Sequence, residues 1–217
     1  MLKIAVFDTG FGGELFADKL EESLPIVEII RVIDWRNALR VEQHPREARK
    51  IVEEALRHYI GTVDLIILAN YLISATSLSY LRHKYPNQKF IGFTLKPHRI
   101  TILPTLILTT HATTRNFAYF SVSRRLKAKT ICLDHWPHLI DDGELTDDDF
   151  KKDLNFAVQR INFAPRQVML ACGQFTELAP AFRKFFGHNV RIIDSFNDTL
   201  DDVYKILRIP GRPKSKN

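Results

Sequence analysis

Eight short apolar runs, separated by helical patterns, constrain this sequence more than any other feature. They span Leu2–Asp8, Glu28–Asp34, Asp64–Asn70, Lys89–Thr94, Thr105–Thr110, Lys129–Asp134, Gln167–Cys172 and Val190–Asp194. Each is rich in β-branched residues and nearly continuous in apolar character. That is the pattern of parallel strands covered on both faces, not of antiparallel strands with one wet face. Between the runs, Ala48, Ile51, Val52, Ala55, Leu56 and Tyr59 recur at helical spacing after Pro45. Phe150, Leu154, Ala157, Val158 and Ile161 do the same after the acidic opening Asp147–Asp149. Carboxylates there suit the positive pole of a helix. The alternation predicts an α/β fold with open parallel sheets, and ligands bound outside the carboxyl ends of the strands.

Composition narrows the function classes. With 217 residues, 45% of them hydrophobic, the chain can build one large α/β domain or two small ones. No apolar run reaches the length of a membrane span, and the N-terminus lacks the layout of a signal peptide. The two cysteines, Cys132 and Cys172, make neither a disulfide framework nor a zinc site, which fits a reducing, cytoplasmic setting. Cys132 falls inside an apolar strand pattern and reads as a core thiol; Cys172 falls at a strand end. The net charge of +6 comes largely from Arg208–Asn217, Arg82–Lys84 and Ser123–Lys129. No aromatic-interleaved basic stripe accompanies it, so neither a nucleic-acid nor a membrane partner is expected.

The opening turn, VFDTGFGG at Val6–Gly13, places a carboxylate, a hydroxyl and three glycines where a strand becomes a helix. Its spacing is not that of a dinucleotide or P-loop fingerprint, and Asp8 would repel a phosphate. An Asp at a strand's carboxyl end is better suited to taking a proton or orienting an amine. A faint internal echo follows. LIILAN ends at Asn70 and VMLAC at Cys172, each leading through small and polar residues into a helix, and LILTTHATT at Leu106–Thr114 echoes the opening turn.

In this order and spacing, the motifs resemble the aspartate/glutamate racemase superfamily, and glutamate racemase most closely. AVFDTGFGG matches the family's opening strand and Asp-Ser-Gly turn, with Thr9 for the Ser. LANY at Leu68–Tyr71 stands where the family has Ala-Cys-Asn-Thr, and LACGQF at Leu170–Phe175 where it has Leu-Gly-Cys-Thr-His. TTHATTRN at Thr109–Asn116 resembles the Gly-Thr-x-x-Thr stretch, LIDDGE at Leu139–Glu144 the Val-Glu segment, and IIDS at Ile192–Ser195 the late Val-Asp-Ser.

The resemblance implies two flavodoxin-like lobes facing a shared cleft. Residues 1–95 with 194–217 would form an N-terminal lobe completed by the C-terminal segment, and 96–193 the second lobe. It implies Cα proton chemistry on a small amino acid or carboxylate, without cofactor or metal, by two cysteines on opposite faces. Cys172 matches the second cysteine, Asp8 the acid that assists the first, and Asp141 the acidic partner on the other side. Thr9, Asn70, Thr113 and Asn116 would hold substrate. A weak homodimer is also implied.

The departures fall on the chemistry. Ala69 occupies the first cysteine's place, Tyr71 and Gly173 those of the two threonines, and Gln174 that of the assisting histidine. The Pro-Tyr-Gly substrate loop would fall near Ala38–Gln43 and is missing. Three readings stay open: an altered or degenerate racemase-like enzyme, a single-cysteine enzyme resembling arylmalonate decarboxylase, and a non-catalytic ligand-binding or regulatory homologue.

Overall fold

The computed structural model of the chain describes residues 1–44, 46–94, 103–114 and 128–210. The elements run β1 (Leu2–Asp8), α1 (Phe11–Ser23), β2 (Val27–Ile33), a 3-10 turn (Trp35–Asn37), α2 (Ala38–Gln43), α3 (Ala48–Leu56), β3 (Leu65–Leu68), α4 (Tyr71–Lys84) and β4 (Phe90–Gly92). There follow β5 (Thr105–Thr109), α5 (His111–Thr114), β6 (Ala128–Cys132), α6 (Trp136–Asp141), α7 (Asp147–Gln159) and β7 (Gln167–Leu170). A 3-10 turn (Gln174–Thr176), α8 (Ala179–Phe186), β8 (Arg191–Asp194) and α9 (Ser195–Ile206) complete the chain. Two compact units result: Met1–Phe93 with Ser195–Asn217, and Thr94–Asp194.

The first unit is built on a parallel four-stranded sheet of order β2-β1-β3-β4. Central β1 and β3 carry the buried runs Ile4–Phe7 and Leu65–Leu68. Against them pack Phe16 of α1, Phe93 and Phe196 of α9, with ring centroids 5.1 to 5.5 Å apart. The Tyr204 hydroxyl donates to the Ser23 carbonyl at 3.0 Å, tying α9 to the end of α1. On the surface, Glu53 of α3 accepts from Lys84, Tyr80 and Tyr85 and so fastens α3 to α4.

The second unit repeats the plan, with a parallel sheet of order β6-β5-β7-β8. Trp136 is its largest fully buried side chain. It contacts Phe150, Phe175 and Phe182, over the buried Leu106, Leu108, Val168 and Leu170. Thr146 caps α7 by accepting the Asp149 N–H at 3.1 Å, and Asp147–Asp149 fill the helix's first turn.

Several strands are shorter than their apolar runs. β3 stops at Leu68 rather than Asn70, and β7 at Leu170 rather than Cys172. Ala69 and Ala171 are buried and still donate their N–H groups to Phe7 and Leu108, but there the chain turns toward the next helix. Cys132 is also placed differently from the core position expected of it. It is the last residue of β6, the edge strand of its sheet, and is half-buried. Among the described residues no helix is long and apolar enough to cross a membrane.

Candidate functional site

In the first unit, β1 delivers Asp8 to the carboxyl end of the sheet, where it is buried with Thr9. The Thr9 N–H donates to Asp8 Oδ1 at 2.6 Å, and the Asn70 amide Nδ2 donates to the same oxygen at 2.9 Å. Asn70 also caps α4, its Oδ1 accepting the Ile73 N–H at 3.1 Å. The glycines of the opening turn allow this closeness: a Cβ on Gly13 would lie 2.3 Å from the Asp8 Cβ. Burial dominates the carboxyl's titration and pushes it up to about 7, against the lowering by Asn70 and by the N–H groups of Thr9, Gly13 and Gly10. At neutral pH, Asp8 is therefore poised to hold or release a proton.

The neighbouring positions are less apt for chemistry. Ala69 is buried and carries no titratable group. The Tyr71 hydroxyl accepts from the Ser195 hydroxyl, and its ring packs 5.8 Å from Phe93, so the side chain belongs to the core. Trp35 and Leu39, around the place of the missing substrate loop, are exposed.

In the second unit, Cys172 lies two residues beyond β7 and is half-buried. Its thiol donates to Gln174 Oε1 at 3.1 Å. The Gln174 amide also lies beside the Asp141 carboxylate at the end of α6 and lowers it. Although Asp141 reaches solvent, partial burial raises its carboxyl, while Gln174 and then His138 pull it down. Thr113 is buried in α5 within 3.3 Å of the Thr110 hydroxyl. Asn116 lies outside the described residues. Thus Asp8, Thr9 and Asn70 come together in one unit, and Cys172 and Asp141 join through Gln174 in the other.

The strand registers relate the two units. Phe7 pairs with Leu68 as Leu108 pairs with Leu170, and Asp8 pairs with Ile33 as Thr109 pairs with Cys132. Counting on from these pairs, Ala69 corresponds to Ala171 and Asn70 to Cys172. Whether matched by motif or by register, the first unit has no thiol at the place of Cys172.

Sequence reasoning took Gln174 only as a lost histidine, whereas it bridges two site residues. A cavity of about 330 Å³ at the end of β6, lined in part by His111, Cys132, His135, Asp153 and Arg160, was also unforeseen. Burial and nearby Asp134 push the Cys132 thiol up, against a lowering hydrogen bond from Thr114. Among the described residues, no group of three or more His, Cys, Asp or Glu could hold a metal ion.

No family model matches the chain. It is 22% identical to a glutamate racemase of Bacillus cereus, over 94% of this chain and 80% of that protein. It is 25% identical to a glutamate racemase of Lachnospira eligens, over 89% of this chain and 77% of that one. The crystal structure of Escherichia coli glutamate racemase, in complex with L-glutamate and the activator UDP-MurNAc-ala, superposes with a TM-score of 0.77 at 20% identity. That superposition covers all of this chain and 85% of the other. In sequence the chain is similar to glutamate racemases, and in fold it matches their structures. It has two parallel four-stranded sheets with flanking helices, the fold it shares with those structures.

Proposed function

We propose that this protein carries out cofactor-independent Cα proton chemistry on a small amino acid or carboxylate, from one side only, with Cys172 as its single working thiol. The observation that carries the reading is the contrast between the units. One has a half-buried thiol engaged with an amide at its strand ends, and the other has Ala69 and Asn70. In this reading Asp141 supports Cys172 through Gln174, and Asp8 is the acid–base group of the first unit. Thr9, Asn70, Thr113 and Asn116 are assigned to holding substrate. Glutamate is the first ligand to try, because one superposing racemase is a complex with L-glutamate and another with D-glutamate.

The test is to incubate the protein with L-glutamate or L-aspartate in deuterated water. Cα deuterium is followed by NMR, and the D-enantiomer by chiral chromatography. Loss of one positioned acid–base group costs about 10²–10⁴ in rate, so we expect slow deuterium incorporation with retained handedness, abolished in Cys172→Ser. Efficient formation of the D-enantiomer would refute the one-sided account. A ligand-binding role without turnover is a second reading, favoured by the conversion of Tyr71 into a buried core residue. Binding by calorimetry with no exchange would select it.

A further inference from the structure

A thiol can meet its neighbours either as a hydrogen-bond donor or, as thiolate, as an acceptor, and the neighbour's chemistry decides which form is favoured. At Cys172 that neighbour is a side-chain amide, with an acceptor at one end and a donor at the other. Because O and N of an amide look alike, its orientation must follow from its other contact. That contact is Asp141. An ionised carboxylate only accepts, so it requires the Gln174 Nε2, which leaves Oε1 facing the sulfur. An oxygen facing the sulfur accepts the S–H and repels a thiolate.

We propose that Gln174 is a positioning residue that holds Cys172 as a thiol, with Asp141 dictating which end of the amide meets the sulfur. This goes beyond the assignment of Cys172 as the working thiol, and rests on that assignment only for its catalytic meaning. The sulfur is presented ready to give a proton, and must lose it before it can take one. The amide does not titrate, so it cannot pass that proton on to Asp141. The other charged groups acting on Asp141 are His138 and Asp142. Both act on the carboxylate rather than on the orientation of the amide.

Native full-length protein is alkylated with iodoacetamide at neutral pH, and each cysteine is followed by peptide mass spectrometry. Cys132 in the same molecules reports any general loosening of the second unit. In Gln174→Leu the acceptor is gone, and Cys172 should react about threefold faster. In Gln174→His a protonatable ring stands beside the sulfur, and the gain should be about tenfold or more. Asp141→Ala frees the amide to turn, so it should accelerate Cys172 more in the wild-type background than in Gln174→Leu. That difference separates an effect through the amide from direct loss of charge. The proposal is overturned if Gln174→Leu leaves Cys172 unchanged or slower, or if Asp141→Ala acts equally in both backgrounds. These readouts need no substrate, so they stand or fall separately from the deuterium-exchange result.

Discussion

Replacing Asp8 by Asn removes a buried titration and should make the protein's stability cross that of the wild type as pH changes. In the folded chain the carboxyl titrates at about 7; in an unfolded chain an Asp titrates at about 3.9. Between these values the folded state binds the extra proton, so wild-type stability falls as pH rises from about 4 to about 7. At about 1.36 kcal/mol per pH unit, the full cost above pH 7 is up to about 4 kcal/mol. An Asn at position 8 carries no such penalty. Its oxygen can still accept from the Thr9 N–H and the Asn70 amide, as Asp8 Oδ1 does. Its NH₂, however, is set near the N–H groups of Gly10 and Gly13 that lower the Asp8 carboxyl, and an opposed donor pair there costs about 1–3 kcal/mol. D8N should therefore be less stable than wild type by about 1–3 kcal/mol at about pH 3.5, where the wild type has not yet lost this stability, and more stable by a similar amount at about pH 8. Urea unfolding at both pH values, followed by far-UV circular dichroism, measures this. Parallel pH dependences for the two proteins would refute the reasoning, because Asp8 would then titrate outside this window.

Three further expectations follow from the packing. Glu53 is held down to about 2, first by Lys84 and then by Tyr85. Its contribution is present above the ordinary Glu value and lost as pH falls toward 2, so Glu53→Gln should cost about 1 kcal/mol at pH 7 after solvent screening, and nothing at pH 2 by the same denaturation assay. Gly13→Ala forces a methyl group onto the Asp8 Cβ and the Ile33 Cδ1, and should destabilise the protein by about 2–4 kcal/mol, read as a lowered midpoint of thermal unfolding. Tyr71→Phe leaves the buried Ser195 hydroxyl without the acceptor it now uses, and should cost about 1–3 kcal/mol in urea unfolding without altering Cys172 alkylation.

The fold was legible because burial of parallel strands on both faces writes a long apolar word for each one. The same property blurred their ends. Ala69 and Ala171 are as buried as the strands they follow, so the sequence does not mark where the ladder stops. It also does not distinguish an edge from a centre. KTICLD looks like a core strand, yet β6 lies at the sheet's margin and Cys132 is half-buried. Asp8, Asn70, Cys172 and Asp141 were legible as motif positions. What joins them was not, since Asn70 reaches Asp8 across 62 residues, and Gln174 meets Asp141 only once the turns after β6 and β7 are folded. A glutamine in a histidine's place reads as a loss until its two neighbours, Cys172 and Asp141, are seen.

The first unit is interrupted in sequence: its last helix, α9, returns only after the whole second unit has been made. Phe16 and Phe93 are translated early, but Phe196, which closes over both, comes near the end. On the ribosome, the usual order of folding from the N-terminus is therefore reversed here. The contiguous second unit can close first. The first sheet keeps an uncovered apolar face until its final helix emerges. A stalled or truncated chain ending before Ser195 would leave the ribosome with that face still bare.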